Sequence, residues 1–162
     1  MLHARRWAVR VTAVAATAAA GLVMTAGAVS AASPDGKPRS VTWTQSGTGA
    51  SISQDDGSFL IIASVKNSVD GEGAVVAKTT LDGSAGTSTA TRYQANGVQR
   101  FRETFTLGTA DANGLIPYQG SGECTGPGTG VHKGEKCSYT YTGTLNSTTN
   151  LVNFDINGKT TR

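Results

Sequence analysis

From Val41 onward, apolar residues tend to recur at every second position, with polar residues between them. A period of two belongs to a strand with one buried face, whereas an amphipathic helix repeats at 3.6. Clusters of Gly, Asn and Asp interrupt the pattern at short intervals, and no stretch reads as a helix. Eight strands are predicted: Val41 to Ser46, Ser58 to Lys66, Ala74 to Leu81, Thr87 to Gln94, Val98 to Leu107, Leu115 to Glu123, Cys137 to Leu145 and Leu151 to Asn157. Turns around Asp70-Gly71-Glu72-Gly73, Asp82-Gly83 and Asp111 to Gly114 separate some of them. Asn96-Gly97 is the sharpest hairpin signal, because that pair accepts the positive φ values of a type I′ turn. Eight consecutive strands with short connections predict an all-β, antiparallel, eight-stranded barrel. Closure removes the exposed edges and leaves a lumen that side chains fill or that holds one small ligand. A two-sheet β-sandwich is the alternative.

The ends of the chain change how its charge is read. Arg5, Arg6 and Arg10 precede an uncharged stretch from Val11 to Val29, and Val29-Ser30-Ala31 offers small residues for signal peptidase. Residues 1–31 are therefore expected to be a secretory signal peptide cleaved after Ala31, which makes the protein secreted. A spanning anchor is the rival reading. It wants about 20 strongly apolar residues, and Ala, Gly and Thr dilute this stretch. Arg5-Arg6 raises a twin-arginine route, but Trp7-Ala8-Val9-Arg10 fits that motif loosely and an ordinary Sec signal is expected. Residues 32–40, with two prolines and a glycine, read as a flexible leader, and residues 41–162 as the folded domain. The formal net charge of +3 belongs to the signal, which holds three of the fourteen basic residues and none of the eleven acids. What remains is neutral and has no basic run, so the footprint of a nucleic-acid binder is missing.

Cys124 and Cys137 are the two cysteines, and in an exported chain they most simply form one disulfide. The glycine-rich stretch Gly120 to Gly130 invites a phosphate-loop reading. Strands flank it, however, and it does not end in Gly-Lys-Ser/Thr, so it reads as a long hairpin loop tied at its base by the cysteines. No metal site or cofactor is expected. His3 leaves with the signal, and His132 reads as a solvent-exposed loop residue without metal-ligand spacing around it.

One strand carries the pattern of most chemical interest. Between Val98 and Leu107, strict alternation puts Glu103 on the same face as Phe101, Phe105 and Leu107, with Arg100, Arg102, Thr104 and Thr106 opposite. A carboxylate aimed into an apolar lumen is desolvated, so its pKa rises and it can act as a general acid or hold a ligand's polar end. A β-bulge would turn it outward, and a place at the barrel mouth would leave it in water. Glu103 is thus the catalytic candidate. Trp43, Phe101, Phe105, Tyr139 and Tyr141 are the ligand-binding candidates, with Tyr93 and Tyr118 as further aromatic surface. Arg92, Arg100 and Arg102 could make a small anion patch, but the acids near them favour a solvated face.

The segment from about Tyr93 to Leu145 resembles a group of small secreted actinobacterial proteins similar to the allene oxide cyclase barrel and the plant dirigent proteins. The resemblance rests on Asn96-Gly97-Val98, Glu103-Thr104-Phe105-Thr106-Leu107, Asp111-Ala112-Asn113-Gly114, and Gly120 to Gly130 running into Lys133-Gly134-Glu135-Lys136-Cys137-Ser138-Tyr139. Pro127 stands where such cyclases have the first glycine of a Gly-Gly pair, and the cysteines are extra to the plant pattern. The resemblance implies an eight-stranded barrel that shapes an apolar ligand. It transfers no catalytic residue. The expected function is a non-catalytic module that binds a small apolar ligand or an extracellular partner. A barrel-type cyclase or isomerase using Glu103 is one alternative, and a structural or inhibitory protein acting through the cysteine loop is another. No nucleic acid and no stable membrane insertion after cleavage are expected, and the oligomeric state is open.

Overall fold

In a computed structural model, residues 39–161 are described. The expected signal peptide (1–31) and all but the last two residues of the expected leader (32–40) lie outside them. Eight strands follow one another: β1 (Ser40–Ser53), β2 (Phe59–Asn67), β3 (Gly71–Asp82), β4 (Ala85–Gln94), β5 (Gly97–Leu107), β6 (Leu115–Cys124), β7 (Lys136–Asn146) and β8 (Leu151–Thr161). A short 3-10 turn, Gly130–His132, lies between β6 and β7. Each strand pairs antiparallel with its neighbours in sequence, and β1 closes on β8 from Ser40↔Thr161 to Ala50↔Leu151. The fold is therefore a closed barrel and not a sandwich. Among the described residues, no helix is long and apolar enough to cross a membrane.

The period-two pattern places the strands, but glycine is read differently by the fold. β1 continues seven residues past Ser46, through Gly47 and Gly49. Those glycines are close-approach positions rather than breakers. A Cβ on Gly47 would lie 2.2 Å from Cζ of Phe154, and one on Gly49 would lie 2.2 Å from the carbonyl of Ile62. The Asn96-Gly97 hairpin also differs from expectation. Ala95 and Asn96 form the turn, and neither has a positive φ, so it is not type I′. Asn96 instead donates to Asp70 (3.1 Å) and accepts from the Val131 amide (3.1 Å). Gly97 leaves room for the cysteine loop, where a Cβ would meet the Thr129 carbonyl at 2.2 Å.

One device recurs inside the barrel. An aromatic ring lies over a glycine of the next strand, at the position registered opposite it. The pairs are Trp43 on Gly158, Phe105 on Gly86, Tyr118 on Gly143, Tyr139 on Gly122, Tyr141 on Gly120 and Phe154 on Gly47. Without a Cβ beneath it, each ring can fold down onto the wall. Across the lumen from most of these rings, β2 to β4 contribute small residues such as Ala63, Ala77 and Ala90. Rings flattened on one wall and alanines on the other leave the centre of the barrel unfilled.

The two ends of the barrel differ. At the end where β2, β4, β6 and β8 finish, the Cys124–Cys137 disulfide joins β6 to β7, with Cα atoms 5.0 Å apart. Closing a loop of this length is worth about 3 kcal/mol in the chain-entropy account. The loop it ties folds back along β5, where the Thr125 amide donates to Arg100 and the Thr129 amide to Val98. The opposite end, where β1, β3, β5 and β7 finish, is the mouth.

Candidate functional site

A cavity of about 120 Å³ occupies the lumen. Its floor includes Gln45 and Arg92, its waist Phe101, Glu103, Tyr139 and Tyr141, and its mouth Phe59, Leu81, Leu107 and Leu145. Most of the lining is hydrocarbon or aromatic. Leu81 at the rim is 38% exposed, so solvent reaches this end.

Glu103 lies inside this apolar space. No bulge flips it, since its register with Ser88 on β4 and Gly122 on β6 continues unbroken. The row across the barrel wall reads Thr79, Ser88, Glu103, Gly122, Tyr139. Because Gly122 leaves its place empty, the Tyr139 ring reaches across β6, and its hydroxyl donates to Oε1 of Glu103 at 2.6 Å. The Ser88 hydroxyl also bonds this carboxylate, and Thr79 in turn donates to Ser88 at 3.3 Å.

Burial in this apolar lumen pushes the Glu103 carboxyl above its ordinary value, and the bonds from Tyr139 and Ser88 only partly oppose the shift. Tyr118, Tyr139 and Tyr141 are pushed up too, first by burial and then by the negative charge of Glu103. All three stay neutral phenols. The waist thus combines one carboxyl, a ring of phenols and apolar walls. Such a group can hold a ligand by hydrogen bond or charge, or deliver a proton when it carries one.

The floor is polar and tightly bonded. The guanidinium of Arg92 lies 5.3 Å from the centres of both Trp43 and Phe101. It donates to Gln45 and to Gln99, each at 2.9 Å, and pairs with Asp70 at 3.5 Å. Gln99 donates to Glu135 at 2.7 Å, and Glu135 meets Nδ1 of His132 at 2.8 Å. Trp43 donates its indole N–H to Thr160 at 2.8 Å. This network, with the cysteine loop beyond it, seals the lower end.

All five aromatic candidates, Trp43, Phe101, Phe105, Tyr139 and Tyr141, line the cavity together with Glu103, and Tyr118 joins them. Tyr93 faces outward and is 49% exposed. Three expectations are corrected. His132 is not a solvent-exposed loop residue but is 1% exposed, because the cysteine loop folds it against Glu135. Arg92 does not share a solvated face with Arg100 and Arg102. It points into the barrel, while those two point out. Gly120 and Gly122 lie in β6, as the strand expected over Leu115 to Glu123 has them and against the loop reading of Gly120 to Gly130, and they seat Tyr141 and Tyr139. In the rest of that stretch only Gly126 and Gly130 need left-handed torsions, with φ of 76° and 59°.

The floor was missed, although the alternation carried it. Gln45 lies two residues from Trp43, Arg92 two from Ala90 and Gln99 two from Phe101, so each shares an inward face. Among the described residues, no group of three or more His, Cys, Asp or Glu side chains could hold a metal ion. No protein-family model, curated protein or solved structure matches this chain.

Proposed function

We propose that this barrel binds a small, mostly apolar molecule in its lumen, taken up through the mouth and anchored at one polar point by Glu103. The observation that carries the reading is the cavity of about 120 Å³ between the flattened rings and the alanine wall, with a carboxyl at its waist. A well-packed interior has few voids larger than a water molecule. A dry apolar cavity of about 150 Å³ binds benzene, so this lumen suits a ligand of about one ring, or the ring-sized end of a longer one. The resemblance to cyclase and dirigent barrels points the same way.

The experiment is native mass spectrometry of the protein purified from its own source, followed by denaturation and extraction. A reproducible extra mass that is released as a small organic compound supports the reading. A bare protein that also fails to take up any compound from a library of ring-sized molecules refutes it.

A second reading has one observation in its favour. A carboxyl whose pKa is raised by an apolar site, placed beside Tyr139, is equipped for general-acid chemistry while it carries its proton, as in a cyclase or isomerase. Under it, Glu103→Gln abolishes turnover of the extracted compound and leaves the fold intact. Under the binding reading, the compound is recovered unchanged after prolonged incubation with the protein.

A further inference from the structure

We propose that the molecule held in the lumen is a small organic cation, an ammonium or quaternary ammonium compound, with its charge between the Glu103 carboxylate and the faces of the rings around it. The inference rests on the lumen reading above and names the ligand class. Four observations carry it.

The first is Glu103 itself. Its bonded partners are the hydroxyls of Tyr139 and Ser88, and among the described residues no cation pairs with it. A buried carboxylate without a counter-charge is costly, and a cationic ligand supplies what the chain leaves out.

The second is ring orientation. A Cβ on Gly86 would meet three atoms of the Phe105 ring within 2.7 Å, and one on Gly47 would meet three atoms of Phe154 within 2.8 Å. Rings laid on the wall in this way offer their electron-rich faces to the lumen rather than their edges.

The third is that the barrel already binds one cation by this means. Arg92 sits over Trp43 and Phe101 at 5.3 Å from each ring centre. Asp70 balances it and Gln45 and Gln99 hold it at the floor, so it stays below the waist. Phe105, Tyr118, Tyr141 and Phe154 line the space between Glu103 and the mouth.

The fourth is the charge of the rim. The mouth loops (residues 54–58, 83–84, 108–114 and 147–150) contain Asp55, Asp56 and Asp111, and Asp82 ends β3 beside them. None contains Lys or Arg. Lys78 pairs with Asp56 and leaves the other three acids to set the sign. An acidic rim draws cations toward the opening and repels anions.

The test compares choline with 3,3-dimethylbutan-1-ol, which has the same shape without the charge, by isothermal titration of the full chain and of Glu103→Gln. Choline should bind at least about tenfold more tightly to the wild type, and Glu103→Gln should erase most of that margin while changing the alcohol's affinity little. If the alcohol binds as tightly as choline, or more tightly, the cation assignment falls and the lumen reading stands. If neither binds at millimolar concentration, this inference falls, and the library of ring-sized molecules decides the lumen reading separately. Should Glu103→Gln not fold, nuclear Overhauser contacts decide on the wild type. The choline methyl protons must touch the rings of Tyr118 and Tyr141, and their absence in a saturated sample overturns the proposal.

Discussion

Replacing Gly122 with Ala should destabilise this barrel, although the same change in a strand ordinarily stabilises by about 0.5–1 kcal/mol because glycine loses more freedom on folding. Gly122 has no positive φ, so backbone torsion is no obstacle. The obstacle is Tyr139. An added Cβ would lie 2.4 Å from its Cζ and 2.5 Å from its hydroxyl oxygen. The ring has little room to yield, with Phe101 edge-on at 5.5 Å, Trp43 at 5.8 Å and Tyr141 at 6.1 Å between centroids. Overpacking of this kind costs about 1–3 kcal/mol. If the ring lifts, its bond to Glu103 is lost as well, and a hydrogen bond to a charged partner is worth about 1.5–3 kcal/mol. After the entropic gain, the net loss is about 0–2.5 kcal/mol if the bond survives and about 1.5–5.5 kcal/mol if it is lost, at roughly 4 °C in Tm per kcal/mol for a domain of this size. The assay is urea unfolding of a double-mutant cycle with Tyr139→Leu, which removes the clashing atoms. In the background of Tyr139→Leu, Gly122→Ala should be neutral or stabilising, giving a coupling of about 2 kcal/mol or more. Equal effects of Gly122→Ala in both backgrounds would refute the ring-on-glycine account.

Three further predictions concern the carboxyl, the disulfide and the alanine wall. Glu103 holds its proton more tightly in the folded state than in the unfolded chain, so its contribution to stability falls as pH rises from its ordinary value near 4.5 through the raised folded value. Glu103→Gln should therefore raise Tm at about pH 8 and lose that advantage toward about pH 4; a Tm difference that does not change with pH contradicts the buried-carboxyl reading. Replacing Cys124 and Cys137 together by Ser should cost about 3 kcal/mol, read by urea unfolding, with the far-ultraviolet β signature retained at room temperature. Ala77→Leu, pointing into the lumen from β3, should abolish uptake of ring-sized molecules while changing stability by only about 1 kcal/mol; unchanged binding would place the ligand elsewhere.

Strand number and inward faces were legible because a closed eight-stranded barrel imposes period two on every strand. The same rule put Glu103, Phe101 and Phe105 on one face. Strand ends were harder to read. Gly47 and Gly49 look like turn residues in one dimension, Gly120 and Gly122 read both as strand and as the start of a loop, and only the partner strand reveals that each makes room for a ring or a neighbouring backbone. The pairing leaves a trace, since Gly120-x-Gly122 lies opposite Tyr139-x-Tyr141, but seeing it requires the register. His132 and Glu135 were opaque for another reason. Their burial depends on how the cysteine loop folds back over β5, a long-range contact that no local pattern encodes.

The most direct test of the central claim is a high-resolution crystal structure of the protein purified from its own source. The account predicts a compact molecule of about ring size in the lumen, in contact with the Glu103 carboxyl and the faces of the surrounding rings. A lumen filled by its own side chains, or by a column of water joining Glu103 to the mouth, would contradict it.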